Sequence, residues 1–212
     1  MSDSARLYLT TEPISDTASF APLFEAALIG GGVACLRLRL AQSLVGDVAQ
    51  AVRSLAEIAQ RHDVALLVDD DPGLALRANA DGVHVTLPGI ALRDTLAALR
   101  PRKIVGAGNL RDRDAAMRAG EDGAEYVMIG EPWGNGEAVL FERTLDQARW
   151  WVDIFNVPCV AYARTLDEAA ALAEAQCEFV AVDSLAWKHP AGAAAAIAEL
   201  AAVMRAHPLA DA

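Results

Sequence analysis

The sequence predicts an α/β protein folded as a single (β/α)8 TIM barrel. Eight short apolar runs recur along the 212-residue chain, and their starts lie 18 to 33 residues apart. The segments between them have apolar residues at helical spacing. Such alternation is typical of parallel strands joined by crossover helices, and eight units in about 200 residues is the smallest size of a closed barrel. The alternative is a doubly wound open sheet, but no GxGxxG motif follows the first run.

The predicted strands follow one another in regular order, each bounded by polar or turn-forming residues. They span residues 6–11, 33–40, 64–70, 82–86, 103–108, 125–130, 158–163 and 178–184. Helix starts are predicted after the second, fourth, fifth, sixth and seventh strands, at Asp47, Asp94 or its neighbours, Asp112, Thr144 and Thr165. The Ala-rich segment 186–206 is expected to form one last helix.

The composition limits the class of protein. No linker interrupts the pattern, so we expect one domain over residues 1–212 with its core at about 6–205. The chain is 54% apolar, which excludes disorder, and its formal charge of −11 argues against general binding to nucleic acids or anionic membranes. The sequence shows neither a secretory leader nor an apolar run long enough to span a bilayer. We therefore expect a cytoplasmic protein.

Two arginines close the second predicted strand. Arg37 and Arg39 lie two residues apart, so both side chains share one face of the strand. Active sites of these barrels form at the carboxyl ends of the strands, and both guanidinium groups are predicted to point there as ligands for a phosphate. The alternative is a structural ion pair with a neighbouring acid.

Three consecutive carboxylates, Asp69, Asp70 and Asp71, close the third predicted strand and precede Pro72. Hard oxygen ligands of this kind suit Mg²⁺ and the phosphates it binds, so Asp69 and Asp70 are candidate metal ligands. An equally favoured alternative is that Asp71 caps the next helix while another aspartate pairs with an arginine.

The later strands contribute further candidates. A Gly-rich loop over residues 130–136 follows the sixth strand and contains Glu131. Phosphates in these barrels often bind after the last two strands, so Arg164 and Ser184 are predicted to hold one jointly. Arg164 is equally consistent with a solvated helix cap, and His84 is interpreted as a buried, hydrogen-bonded histidine.

Six short segments carry a family resemblance, namely residues 7–10, 80–84, 104–106, 124–127, 158–161 and 180–184. Together they resemble the thiamine-phosphate synthase family, which includes a thiazole tautomerase branch. The resemblance implies a (β/α)8 barrel that couples hydroxymethylpyrimidine diphosphate to thiazole phosphate and releases pyrophosphate. It also implies Mg²⁺, which together with basic side chains stabilises the departing diphosphate.

The family motifs are partly retained. The strand-two motif Gln-Leu-Arg-Glu-Lys keeps its arginine as Arg39, while Arg37 replaces the glutamine and Ala41 the lysine. Asp70 matches the family's metal-binding aspartate, and Ser184 keeps the identity of the serine after strand eight. The resemblance therefore implies diphosphate binding by Arg39 and Mg²⁺ binding at Asp70.

Other motif positions differ from the family. The second metal-binding aspartate is absent from residues 86–89, the serine after strand five from 106–109, and the lysine after strand six from 134–137. At the position of the tautomerase branch's catalytic histidine, this chain has Glu131. These differences concern the charges that would handle a diphosphate.

Three hypotheses follow. In the first, the chain is a divergent synthase with Mg²⁺ at Asp70 and the diphosphate at Arg39. In the second, it is a regulatory barrel that binds a phosphorylated metabolite without turnover. In the third, it is an isomerase that uses Glu131 as a base, its pKa raised by burial beside Trp133. The partner in each is a phosphorylated small molecule, and a homodimer is also considered.

Overall fold

The computed structural model describes residues 4–132 and 137–210. Across these residues, eight parallel strands close into a barrel in chain order, with β8 paired to β1. Each predicted strand is present, and the (β/α)8 barrel is confirmed. The strands are β1 (Arg6–Thr10), β2 (Val33–Leu38), β3 (Ala65–Asp69), β4 (Gly82–Val85), β5 (Ile104–Ala107), β6 (Tyr126–Ile129), β7 (Cys159–Tyr162) and β8 (Phe179–Val182).

Helices follow the strands around the outside of the barrel. They are α1 (Thr17–Leu28), α2 (Val48–Arg61), α3 (Pro72–Ala78), α4 (Ile90–Leu99), α5 (Arg113–Asp122), α6 (Phe141–Ile154), α7 (Leu166–Glu174), α8 (Ser184–Trp187) and α9 (Ala193–Arg205). Asp47, Asp112 and Thr165 cap α2, α5 and α7 as predicted. The starts predicted at Asp94 and Thr144 are wrong, because α4 and α6 begin earlier and include these residues. No helix within 4–132 and 137–210 is long and apolar enough to cross a membrane.

The prediction of one last helix over the Ala-rich segment 186–206 is wrong. The chain forms the short helix α8, turns, and begins α9 only at Ala193. Pro190 lies in this turn and lacks the backbone N–H that a continuous helix needs. Gly192 precedes α9 with φ of 88°, a conformation that favours glycine.

The barrel separates two buried layers. Leu36 and Leu38 on β2 belong to the larger core between strands and helices. Tyr126 packs inside the barrel in a second, smaller cluster that also includes Met128. The Tyr126 ring lies directly over Gly106 on the neighbouring strand, where an added Cβ would overlap with the ring. The glycine thus makes room for a tyrosine at the centre of the barrel.

Candidate active site

A cavity of about 670 Å³ opens at the carboxyl ends of the strands. Its volume lies in the range typical of small-molecule sites. Each strand, or the loop directly after it, supplies at least one lining residue. The lining residues are Thr10, Arg37, Arg39, Asp69, Asp70, Thr86, Leu87, Asn109, Met128, Glu131, Pro132, Tyr162 and Asp183. Five of the seven predicted site residues are among them, whereas Arg164 and Ser184 are not.

Arg37 lies at the floor of the cavity between two carboxylates. Its Nε and Nη2 atoms donate to Oδ1 and Oδ2 of Asp69 at 2.7 and 3.1 Å. Its Nη1 atom donates to Oε2 of Glu131 at 2.5 Å. The Arg37 side chain is only 6% exposed, so its charge is balanced within the protein by these partners. We refer to Arg37, Asp69 and Glu131 as the floor cluster.

Glu131 is held from several sides. Besides Arg37, the backbone N–H of Asn109 donates to its Oε1 atom, and His84 Nε2 lies 3.6 Å from that oxygen. Burial raises the pKa of the Glu131 carboxyl, but its interactions with His84 and with the Arg37 charge outweigh burial and lower the pKa well below its usual range. The predicted rise of this pKa is therefore wrong. The causes are the interaction with His84 and then the charge of Arg37, and the sequence pattern did not reveal that both groups contact Glu131.

Beneath the floor cluster, a row of hydrogen bonds crosses the barrel. His84 is completely buried, and its Nδ1 atom lies 2.7 Å from the Tyr126 hydroxyl. That hydroxyl lies 2.7 Å from the hydroxyl of Tyr8 on the opposite side of the barrel. His84 is therefore buried as predicted, but its Nε2 atom has no hydrogen bond within the described part of the chain.

The rim of the cavity is more open. The Arg39 side chain is 45% exposed, and among the residues described its one carboxylate within 4.0 Å is Asp69, at 3.9 Å. The Asp70 carboxylate accepts hydrogen bonds from the backbone N–H and the hydroxyl of Thr86, at 2.8 and 2.5 Å. Asp71 caps helix α3, which agrees with the alternative considered for it. The rim therefore presents a half-exposed guanidinium group close to a fixed carboxylate.

The other two predicted phosphate ligands lie away from the cavity lining. The Arg164 guanidinium donates to Glu168 at 3.2 Å, and its backbone N–H donates to the same carboxylate at 2.7 Å. Ser184 begins helix α8, and its hydroxyl donates to Asp183 at 3.1 Å. Residues 133–136 of the predicted Gly-rich loop, with Trp133, lie outside the described residues.

Five further polar residues line the cavity that sequence reasoning did not select: Thr10, Thr86, Asn109, Tyr162 and Asp183. The Thr10 hydroxyl and the Asn109 side-chain oxygen are buried without a hydrogen-bond partner among the residues described. Burial raises the pKa of Tyr162, and the adjacent Asp183 carboxylate raises it further. Alternation along the strands carried a signal for two of them, since Thr10 and Asp183 share a face with Tyr8 and Ala181.

The donor set determines what kind of metal site would fit. The described lining residues include four carboxylates and the two guanidinium groups of Arg37 and Arg39, which gives a formal net charge of −2. No group of three or more metal-ligating side chains is assembled within residues 4–132 and 137–210. Each Asp70 oxygen still has a lone pair beyond the bond it accepts from Thr86. This arrangement fits a Mg²⁺ ion held by one carboxylate and completed by phosphate oxygens and water.

Comparison with known proteins identifies the family. The family model described as "Thiamine monophosphate synthase" matches residues 7–185. The chain belongs to this family. The resemblance seen in the sequence motifs is thereby confirmed.

Several family members are similar over nearly their whole length. The chain is 40% identical to the thiamine-phosphate synthase of Rhodospirillum centenum, covering 94% of this chain and 98% of that protein. It is 36% identical to the thiamine-phosphate synthase of Hyphomonas neptunium, covering 91% and 90%. Thiamine biosynthesis and the transferase class are therefore supported at the level of the family.

Solved structures support the same barrel. Thiamine phosphate pyrophosphorylase from Pyrococcus furiosus superposes with a TM-score of 0.79 at 21% identity, covering 95% of this chain and 96% of that one. A 3-hexulose-6-phosphate synthase from Salmonella typhimurium superposes with a TM-score of 0.75 at 14% identity, covering 95% and 99%. At these identities the likeness concerns the fold alone.

Proposed function

We propose that this barrel is a thiamine-phosphate synthase that joins hydroxymethylpyrimidine diphosphate to thiazole phosphate and releases pyrophosphate. Family membership supports the reaction class. The observation that carries the proposal is the rim of the cavity, where the half-exposed Arg39 guanidinium and the Asp70 carboxylate line the same space. An unburied cation and a metal-competent carboxylate in one cavity are suited to a diphosphate group.

The main requirement of the proposed reaction is stabilisation of the leaving group. The bond between the pyrimidine methylene carbon and the diphosphate oxygen breaks, and its electron pair leaves with the diphosphate. The lone pair of the thiazole nitrogen then forms the new carbon–nitrogen bond, so no proton has to be removed. Negative charge develops on the departing diphosphate, and fixed charges near it stabilise the transition state. Arg39 is the residue proposed to do this.

The charge of the cavity supports a role for Mg²⁺. A diphosphate anion would meet four carboxylates and two guanidinium groups among the described lining residues, so the protein alone would repel it. We propose that Asp70 holds the metal ion, with Asp69 close by but engaged on both oxygens by Arg37. When bound, Mg²⁺ would supply the positive charge that neutralises the diphosphate.

Formation of thiamine phosphate from both substrates with Mg²⁺ is the direct test. Arg39→Ala should lower kcat/KM by about 10²–10³-fold, the usual cost of losing one transition-state charge contact. Arg164→Ala is the matched control, because Arg164 pairs with Glu168 outside the cavity lining. It should change the rate by no more than about twofold. A wild-type rate no higher than that of Asp70→Ala would refute the proposal.

One observation favours a second candidate, a barrel that binds a phosphorylated metabolite without turnover. Arg37 and Arg164 are both engaged by carboxylates, and neither Lys103 nor Lys188 is among the described lining residues. The cavity therefore has fewer open cations than a reaction with two phosphorylated substrates would favour. Calorimetry separates the candidates: saturable binding of thiamine phosphate without any product formation would favour the second.

A further inference from the structure

The hydrogen-bonded row beneath the cavity has no part in the proposed chemistry. It runs from the Tyr8 hydroxyl to the Tyr126 hydroxyl and on to His84 Nδ1, with 2.7 Å at each step. On its other side, His84 Nε2 faces Glu131 Oε1 at 3.6 Å. We propose that His84 is a positioning residue whose ring, held with its hydrogen on Nε2, fixes Glu131 and through it Arg37. Only the kinetic consequence rests on the proposed function.

The surroundings of the ring decide which nitrogen carries the hydrogen. Glu131 accepts hydrogen bonds from Arg37 Nη1 and from the Asn109 amide, so its carboxylate is ionised. A hydrogen on His84 Nε2 points at this carboxylate, whereas a bare nitrogen would face it with a lone pair in a buried setting. With this tautomer, Nδ1 accepts a hydrogen bond from Tyr126. Tyr126 in turn accepts from Tyr8.

The position of Glu131 matters because Arg37 has no alternative partner on that side among the described carboxylates. Arg37 links Glu131 to Asp69, and Asp69 directly precedes Asp70 at the rim. A displaced Glu131 would release Nη1 of Arg37 and loosen the bidentate pair that holds Asp69. The effect would reach the rim through β3 rather than by contact with a substrate. His84 is therefore a positioning residue and not a catalytic one.

Two amide replacements separate this role from simple packing. In His84→Gln, the side-chain N–H can occupy the place of Nε2–H and still donate to Glu131. In His84→Asn, the shorter side chain reaches Tyr126 but not Glu131. We expect kcat/KM for the diphosphate substrate to fall by about 10- to 100-fold in His84→Asn, because a buried carboxylate then has one polar partner fewer. His84→Gln should retain activity within about threefold.

Nitrogen NMR of the resting protein tests the inference without any turnover. The resonances of His84, assigned by their loss in His84→Gln, should show a hydrogen on Nε2 and none on Nδ1. Tyr126→Phe removes the donor to Nδ1 and leaves the ring less firmly held, so the Arg37 Nε–H resonance should shift. Tyr8→Phe leaves that donor in place and should give a smaller change. A hydrogen on Nδ1 in the wild type, alone or with one on Nε2, would overturn the proposal.

The two proposals fail in different ways. A wild-type protein that makes no thiamine phosphate would refute the synthase, while the NMR experiment would still support or overturn the arrangement of His84, Glu131 and Arg37. If the wild type is active and has the expected tautomer, equal rates for His84→Asn and His84→Gln would overturn the positioning role. An unchanged Arg37 Nε–H resonance in Tyr126→Phe would overturn it as well.

Discussion

Arg37 and Arg39 lie on one face of the chain at the end of β2, yet the structure gives them opposite environments. Arg37 is 6% exposed at its side chain and forms hydrogen bonds to two carboxylates, with distances of 2.5 to 3.1 Å. Arg39 is 45% exposed, and its contact to Asp69 is 3.9 Å long. Two residues of strand rise, roughly 7 Å, separate a guanidinium group in the barrel interior from one at its mouth.

The difference shows that depth in the barrel determines what a charge can do. A buried guanidinium group must be paired, because an isolated charge in the interior carries a large desolvation penalty. Once paired with Asp69 and Glu131, Arg37 stabilises the floor of the cavity and has little charge left for a ligand. Arg39 keeps its charge available because water already solvates it. Replacing each arginine in turn tests whether the two differ in their contribution to stability.

Arg37→Ala should have the largest effect on stability. The substitution leaves Asp69 and Glu131 without their shared cation, and Glu131 is only 10% exposed at its side chain. Removing one partner of a buried ion pair costs about 3–5 kcal/mol. Urea unfolding of the wild type and the variant at neutral pH measures the difference.

Arg39→Ala is the matched control for that experiment. Its ion pair is long and half-exposed, so its loss should change the free energy of unfolding by less than about 0.5 kcal/mol. Equal losses for the two variants would show that both arginines stabilise the fold alike. The distinction between floor and rim would then be wrong.

Glu131→Gln should have the next largest effect, and the effect should depend on pH. The pKa of Glu131 is lowered in the folded protein, so its ionised form stabilises the fold above the unfolded pKa of about 4.3. This contribution is lost as the pH falls toward the folded pKa. The variant should therefore be less stable than the wild type by about 2 kcal/mol at pH 7, and the gap should narrow below about pH 4.

Chemical unfolding at several pH values measures this gap. Asp16→Asn is a useful control, because Asp16 also has a lowered pKa but is an exposed cap of α1. The control should show a much smaller loss, because asparagine caps a helix about as well as aspartate and the site is exposed. A constant gap between wild type and Glu131→Gln from pH 7 to pH 3 would contradict the ionised, floor-bound Glu131.

The sequence predicted the barrel well because periodicity is a local signal. All eight strands and the caps at Asp47, Asp112 and Thr165 follow from short windows of residues. The same reasoning placed Arg37 and Arg39 on one face, because side chains alternate along a strand. Local alternation does not show how deep each residue lies in the closed barrel.

The pair of Arg37 with Asp69 agrees with the alternative that an aspartate after strand three pairs with an arginine, but the second partner could not be predicted. The pairing of Arg37 with Glu131 joins residues 94 positions apart and depends on barrel closure. Asn109 donates to Glu131 from a backbone conformation with φ of 52°, which no strand or helix pattern encodes. The family motif likewise identified Ser184, whereas the described cavity is lined by its neighbour Asp183.

Gly108→Ala should have the smallest of the three effects and tests how closely the floor is packed. An added Cβ would overlap with Glu131 Oε1 and His84 Nε2, so one of these side chains must move. Overpacking costs about 1–3 kcal/mol, and we expect the lower end of this range because the atoms met are the ends of side chains.

Gly30→Ala provides the control, since an added Cβ there would have only ordinary contacts, the nearest at 3.8 Å. It should be neutral or slightly stabilising, because alanine reduces the freedom of the unfolded chain. The double variant Gly108→Ala, Glu131→Gln then tests the cause. If the added methyl group acts by displacing Glu131, the double variant will lose less unfolding free energy than the two single variants together. Full additivity would mean that Gly108 and Glu131 act independently, and that the floor tolerates a side chain at 108 by other movements.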